Sequence, residues 1–439
     1  MDRFAYRDGQ LFAEDVALDA IARAVGTPAY VYSLGTVRDH VDRLQAAFAD
    51  LDPLICYAMK ANANLALLAD LAARGLGFDI VSAGELDRLR RLGVPGERIV
   101  FSGVGKTRDE MVAALGHGVR LFNVESEEEL EALARVAADL GQRADVALRV
   151  NPDVDPQTHA YIATGLKESK FGLAIDRGEV LARRVLDRPS LRLVGLQCHI
   201  GSQITDVTPY GEAVGRVADL ARRLQPDAPD LASLDMGGGF GIFYKDRRAP
   251  SFEEYARVVR PHVKDLGLKL LMEPGRVLVG NAGVMLTRVL YRKQAGAKRF
   301  VIVDAGMNDL IRPSLYGGWH RIWPVVGHGA PPVGEADGLA PVDVVGPVCE
   351  SGDFLAKDRP LPEVAAGELL AVFGVGAYGF TMSSTYNARP RPPEVLVDGA
   401  RFAVARRRET YDDLVAAETA TPTFVEAAAE ALDAKEASS

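Results

Sequence analysis

The run Leu54-Ile55-Cys56-Tyr57-Ala58-Met59-Lys60-Ala61-Asn62 is apolar and strand-like until it meets one lysine. An amine at the mouth of a buried strand is costly to keep charged. Burial is therefore expected to lower its pKa and leave a nucleophile, as Schiff-base chemistry requires. A lysine snorkelling to solvent is the plain alternative, and only converging neighbours decide between the two. Three later segments also follow apolar runs: His199-Ile200-Gly201-Ser202-Gln203, Asp235-Met236-Gly237-Gly238-Gly239-Phe240-Gly241 and Glu273-Pro274-Gly275-Arg276. Without side chains over Gly237–Gly241, backbone N–H groups can approach an anion, most often phosphate; a flexible turn is the other reading. A lysine, a phosphate cradle, an aromatic face and an isolated carboxylate together fit pyridoxal phosphate. Its aldehyde needs an amine, its phosphate an anion site, and its pyridine nitrogen an acid partner. Glu273 is expected to be that partner and His199 to stack on the ring. Taken singly, His199 reads as a core histidine and Glu273 as the salt-bridge partner of Arg276. Two nucleotide readings fail: Gly103-Val104-Gly105-Lys106-Thr107 has Val100 where a P-loop needs glycine, and Gly237–Gly241 has Ile242 where a dinucleotide fingerprint needs one.

These segments need a scaffold that brings strand ends together. Eight short runs rich in Val, Ile and Leu are expected as strands: Leu54–Ala58, Gly77–Val81, Arg98–Ser102, Arg120–Val124, Asp145–Val150, Leu193–His199, Ala232–Met236 and Lys269–Glu273. Amphipathic stretches at Glu85–Leu92, Glu127–Leu140, Tyr210–Leu224 and Phe252–Leu266 separate several of them, and another, Val37–Phe48, precedes the first. Ser82…Glu85 and Ser126…Glu129 fit the capping box. The alternation predicts a parallel (β/α)8 TIM-type barrel, whose chemistry gathers at the C-terminal strand ends; an open doubly wound sheet is the runner-up. After about residue 280, the strand-like runs Val284–Tyr291, Phe300–Asp304, Val342–Val345, Leu369–Val375 and Arg401–Ala405 are separated by Gly- and Pro-rich connections, which predicts an all-β domain, a sandwich or barrel. The expected organisation is an N-terminal segment 1–35 joining that β domain through Leu11–Phe12 and Ala29–Tyr32, a barrel over 36–280, the β domain over 281–420, and an Ala/Glu-rich tail over 421–439.

Length and composition predict a globular protein with a large core and two domains. The 439 residues are 48% hydrophobic and carry a net charge of -9, from 60 acidic and 51 basic side chains, which argues against nucleic acid as a partner. Arg406-Arg407-Arg408 reads as solvated surface. Three scattered cysteines, Cys56, Cys198 and Cys349, make neither a disulfide framework nor a zinc site, and the reducing cytoplasm is the expected compartment. Neither a signal peptide nor a membrane span is expected.

The chain resembles the alanine-racemase-like, fold-type III pyridoxal phosphate decarboxylases, and within them the diaminopimelate decarboxylases. The motifs that carry the resemblance occur in order: Tyr57-Ala58-Met59-Lys60-Ala61-Asn62, His199–Gln203, Gly237–Gly241, Glu273–Arg276, Arg312-Pro313-Ser314-Leu315-Tyr316, Gly346-Pro347-Val348-Cys349-Glu350-Ser351 and Tyr378. The resemblance implies that Lys60 holds the cofactor and His199 stacks on it. It implies that Ser202, Gly238 and Gly239, with Gly275 and Arg276, hold its phosphate, that Glu273 pairs with its ring nitrogen, and that Tyr378 touches cofactor and substrate. Arg276, Arg312 and Tyr316 would bind the substrate carboxylate far from the bond that breaks. Glu350 would take the distal ammonium, and Cys349 would donate the final proton. Cys349 and Glu350 would come from the neighbouring subunit of a homodimer. The implied reaction is meso-diaminopimelate to L-lysine and CO2, the last step of lysine formation. Decarboxylation of ornithine, arginine, lysine or a carboxylated polyamine is the competing activity, and a non-catalytic pyridoxal phosphate-binding homologue the competing class. The stretch Asp153–Gly172 is long enough to act as a flap over the site.

Overall fold

The computed structural model describes residues 3–155, 170–245, 249–332 and 338–424. All eight expected runs become parallel strands of one closed barrel. Leu54–Ala58 pairs with Gly77–Ile80, followed in order by Ile99–Phe101, Leu121–Val124, Ala144–Asn151, Leu191–Gln197, Ser233–Asp235 and Lys269–Met272. The last pairs back with the first. Closure excludes the open sheet.

The strand period of two organises the barrel interior into layers. Cys56, Val100, Leu121, Ala147 and Leu271 form an apolar plug. Two residues further along those strands stand Ala58, Ser102, Asn123, Arg149 and Glu273. Gly77, Gly195 and Ser233 are likewise followed by Asp79, Gln197 and Asp235. All seven polar members of this upper layer are buried. The sequence therefore switches from apolar to polar in one step of the pleat, at the end where the helices begin.

The helices start where caps occur, with one correction. Ser82 and Ser126 do accept the N–H of Glu85 and Glu129, at 3.3 and 3.1 Å. The glutamates, however, reach past the caps to the N–H groups of Val81 and Glu125, at 2.7 and 2.9 Å, so neither pair closes a capping box. Complete boxes stand instead at Thr107 with Glu110 and at Ser251 with Glu254.

In the sheet domain the long strand Gly283–Ala295 pairs with Ala29–Ser33, Leu369–Phe373 and Lys298–Val303. Ala29–Ser33 also pairs with Glu394–Asp398, so the N-terminal segment does enter this domain. Gln10–Ala13 does so less directly: it sits in a separate three-stranded sheet and touches the larger domain through a bridge from Gln10 to Val326. Ile322–Pro324, Phe354–Leu361 and Glu394–Asp398 are strands that the sequence reading does not include. Arg406-Arg407-Arg408 is not a free surface run. Arg406 pairs with buried Glu394 at 2.7 Å, Arg408 caps the carbonyl of Pro28 at 2.8 Å, and Arg407 is held by Asp413. Residues 156–169 of the expected flap and 425–439 of the tail lie outside the described residues. No helix among the described residues is long and apolar enough to cross a membrane.

Candidate active site

Lys60 sits in the single 3-10 turn Met59–Ala61 that leaves the first barrel strand. Its Nζ donates to Asp79 Oδ2 at 3.0 Å. The pairing follows from register, because Ala58 faces Asp79 across the first two strands. The expectation for the amine's acidity is reversed. Burial pulls its pKa down, but Asp79, Tyr378 and Glu273 together hold it above the ordinary lysine range. The charges around the amine, rather than burial alone, set its state, and Lys60 rests as an ammonium. The other oxygen of Asp79 is buried without a hydrogen-bond partner among the described residues.

Glu273 follows the eighth strand and lies in the polar layer. Its Oε1 accepts from Asn123 Nδ2 at 3.0 Å and Ser102 Oγ at 3.3 Å, and its Oε2 from Gln197 Nε2 at 3.1 Å. Burial and the neighbouring carboxylates Asp235 and Asp79 push its pKa well up, against a smaller pull from Lys60. Such a carboxyl gains from a nearby cation, and three donors keep it aimed. It makes no salt bridge to Arg276.

His199 follows the sixth strand. Its Nδ1 accepts the N–H of Gly238 at 3.1 Å, which leaves the proton on Nε2; burial and Arg149 push its pKa well down, so the ring is neutral.

The glycine loop is packed rather than flexible. Gly237 and Gly239 have φ of 67° and 98°, and a side chain at Gly238 or Gly239 would collide with the carbonyl of Glu273 or Gly201. The N–H groups of Gly237, Gly238 and Gly241 bond to Asp235, His199 and Ile204. Among the described residues, those of Gly239 and Phe240 have no such partner. Beside the loop, Ser202 Oγ accepts from Arg276 Nη2 at 3.0 Å, and Gly275 precedes the short helix Arg276–Val279. Two N–H groups, a hydroxyl and a buried guanidinium are the kinds of donor that an anion such as phosphate takes. By contrast, Lys106 of the P-loop-like segment is caged by Gly103 O, Asn123 O and Glu129 Oε1 at 2.6–2.8 Å.

The sheet domain closes the other side. Tyr378, at φ 56°, donates its N–H to Ala61 O at 2.8 Å and lays its ring 4.7 Å from the Arg276 guanidinium. Asn62 Nδ2 donates to Gly376 O at 3.1 Å. A left-handed non-glycine residue is strained, and here it docks the lysine turn. Arg312 opens the short helix Arg312–Tyr316. Arg276 and Arg312 are both buried, yet neither forms an ion pair with a carboxylate among the described residues; both donate to the hydroxyl of Tyr244, at 2.7 and 3.0 Å. Tyr316 is near enough to act electrostatically on both. A cavity of about 400 Å³ between the two domains is lined in part by Lys60, Asn62, Glu85 and Thr381.

The geometry thus ties His199 to Gly238, Ser202 and Tyr378 to Arg276, and Arg276 to Arg312 through Tyr244, while Lys60 acts electrostatically on Glu273 and Tyr316 on both arginines. Cys349 and Glu350 stand apart. Cys349 is exposed, its N–H donates to Asn387 Oδ1 at 2.7 Å, and Glu350 accepts from Gly352 N at 3.2 Å. The motif reading leaves out Asp79, Tyr244 and the donors around Glu273. Asp79 has a visible signal, a charge inside the apolar run Gly77-Phe78-Asp79-Ile80, which is costly unless paired. Tyr244 has none, since its partners are distant in sequence.

Residues 34–280 match the family model for the pyridoxal-binding domain of pyridoxal-dependent decarboxylases. The chain belongs to that family. Its cofactor is pyridoxal phosphate, for which the cradle, Lys60 and Glu273 provide fitting partners. The chain is 52% identical to diaminopimelate decarboxylase of Pseudomonas aeruginosa over 426 residues, covering 96% of this chain and 100% of that protein. It is 47% identical to the diaminopimelate decarboxylase of Aquifex aeolicus, covering 93% and 96%. Among solved structures, diaminopimelate decarboxylase from Helicobacter pylori complexed with L-lysine superposes with a TM-score of 0.86 at 40% identity, covering 91% of this chain and 99% of that one.

Proposed function

We propose that this protein decarboxylates meso-2,6-diaminopimelate to L-lysine and CO2, completing lysine biosynthesis. The observation that carries the substrate choice is the pair of buried guanidiniums, Arg276 and Arg312, with no carboxylate partner among the described residues. Two such cations suit a substrate that keeps one carboxylate after losing another. The full-length similarity to diaminopimelate decarboxylases supports the same reading.

The bound cofactor supplies an electron sink for the pair left behind when the substrate's C–CO2 bond breaks. Lys60 would hold the cofactor through its amine. Asp79 is positioned to take part in the proton balance of that amine. Glu273, aimed by Asn123, Ser102 and Gln197, offers a carboxylate to the ring nitrogen, while Ser202, the Gly239 and Phe240 N–H groups and Arg276 hold the phosphate. His199, neutral, offers a flat face and Tyr378 lines the site. Arg312, Arg276 and Tyr316 bind the carboxylate that stays, and Glu350 the ammonium beside it. The Cys349 thiol delivers a proton to the carbon that lost CO2.

Because Cys349 and Glu350 are exposed on their own subunit, they fit a homodimer in which each chain completes its partner's site. Three free cysteines, two of them buried, suit a cytoplasmic location. The test is CO2 release from meso-diaminopimelate beside ornithine, arginine and L-lysine. Faster turnover of ornithine or L-lysine would overturn the substrate, and a purified protein that binds no pyridoxal phosphate would overturn the chemistry.

A further inference from the structure

Tyr244 belongs to none of the motifs, yet it is the contact shared by the two arginines. Its hydroxyl accepts from Nη1 of both Arg276 and Arg312. Its ring lies 6.0 and 5.0 Å from their guanidinium carbons. The ring in turn packs edge-on against His320, with centroids 5.4 Å apart at 83°. His320 is itself fixed, with Nδ1 3.0 Å from Phe373 O, and burial together with Arg312 pushes its pKa down to about 3. A neutral, immobile ring therefore backs the tyrosine.

The arginines come from different domains, one from the end of the barrel and one from the sheet domain. Two buried like charges repel, and burial removes the water that would screen them. A phenol oxygen between them, with two cation–ring contacts, holds them at a set separation. What it leaves open is informative: the Nε of each arginine is buried without a hydrogen-bond partner among the described residues. Two guanidiniums held together with donors to spare match the several lone pairs of a carboxylate.

We propose that Tyr244 is a positioning residue that fixes the gap between Arg276 and Arg312 for one carboxylate, and so makes the site select substrates that carry a carboxylate at the end remote from the reacting carbon. This rests on the reading above of where that carboxylate binds.

The test is Tyr244→Phe, which keeps the ring and removes the hydroxyl. L-Lysine retains the remote carboxylate, whereas pentane-1,5-diamine has the same chain without it. Each is titrated onto the holoenzyme, with binding followed through the absorbance of the bound cofactor. The Kd of L-lysine should rise about tenfold or more, the loss expected for one charge-assisted hydrogen bond, while that of the diamine stays within about twofold. The KM for meso-diaminopimelate should rise by a similar factor, with kcat within about twofold. Retention of tight L-lysine binding, or equal weakening of both ligands, would overturn the role of Tyr244. If the wild type itself fails to prefer L-lysine over the diamine, the remote-carboxylate reading falls and the proposal with it. Should the phenylalanine variant misfold, Tyr244→Leu offers the same ligand comparison.

Discussion

Replacing Asp79 with asparagine should release the amine of Lys60. The carboxylate is fully buried, one oxygen lies 3.0 Å from Nζ, and the other has no hydrogen-bond partner among the described residues. Coulomb's law at that separation gives about 6 kcal/mol for an effective dielectric of ~20 and about 1.4 kcal/mol for bulk water. The Lys60 side chain is 38% exposed, so the low end is the safer figure. Even about 1.4 kcal/mol changes the ratio of neutral to charged amine about tenfold. Asparagine keeps the shape, so the barrel should fold as before. The assay is reductive methylation of the cofactor-free protein at mildly alkaline pH with limiting formaldehyde, quantified at Lys60 by peptide mass spectrometry against the exposed Lys357 in the same sample. Lys60 in the variant should react about tenfold faster or more than in the wild type. A rate unchanged within about twofold would show that Asp79 does not hold the ammonium, and burial alone would then have to account for the amine's state.

Two further predictions concern assembly and stability. Lys60→Ala and Cys349→Ala subunits, each inactive or slow alone, should on co-assembly recover about a quarter of wild-type turnover, because random mixing makes half the dimers mixed with one intact site each; no recovery would place the thiol's action within a single chain or discard it. Burial pushes the Asp309 carboxyl up to about 7, against opposing pulls from Gly306 N–H and Arg389. The folded state then keeps a proton that the unfolded chain loses above about pH 4, so this group subtracts stability as pH rises from there towards about 7. Asp309→Asn removes that term, and its melting temperature should fall less than the wild type's between pH 5 and pH 8; parallel melting curves would refute the assignment.

The barrel was legible because each of its strands is a short apolar run with turn or cap signals at its ends. The sheet domain was less so. Phe354–Leu361 contains Lys357, Asp358, Arg359 and Pro360, which break the apolar pattern, and it survives as a strand because it pairs on one side only at the end of its sheet. Glu394–Asp398 is masked by the preceding Arg389-Pro390-Arg391-Pro392-Pro393. At the site, local motifs point to Lys60, the glycine loop and Glu273. Their electrostatic states were hidden, since the groups that decide them arrive from other strands. Ser102 and Glu273 are 171 positions apart, and Tyr244 and Arg312 are 68 apart. The reversed acidity of Lys60 has the same origin: desolvation can be inferred from an apolar run, but the opposing charge depends on the pairing of Ala58 with Asp79.

The strand Ala29–Ser33 has a consequence for biogenesis. It is hydrogen-bonded between Gly283–Ala295 and Glu394–Asp398, with Tyr30 opposite Glu394. A ribosome adding roughly 5–20 residues per second therefore makes the early strand and then needs on the order of 20–70 s before its second neighbour exists. The barrel can close in that interval, while an apolar segment near its start waits unpaired. Chaperone dependence of this chain should accordingly centre on Ala29–Ser33 and ease once Glu394–Asp398 has emerged.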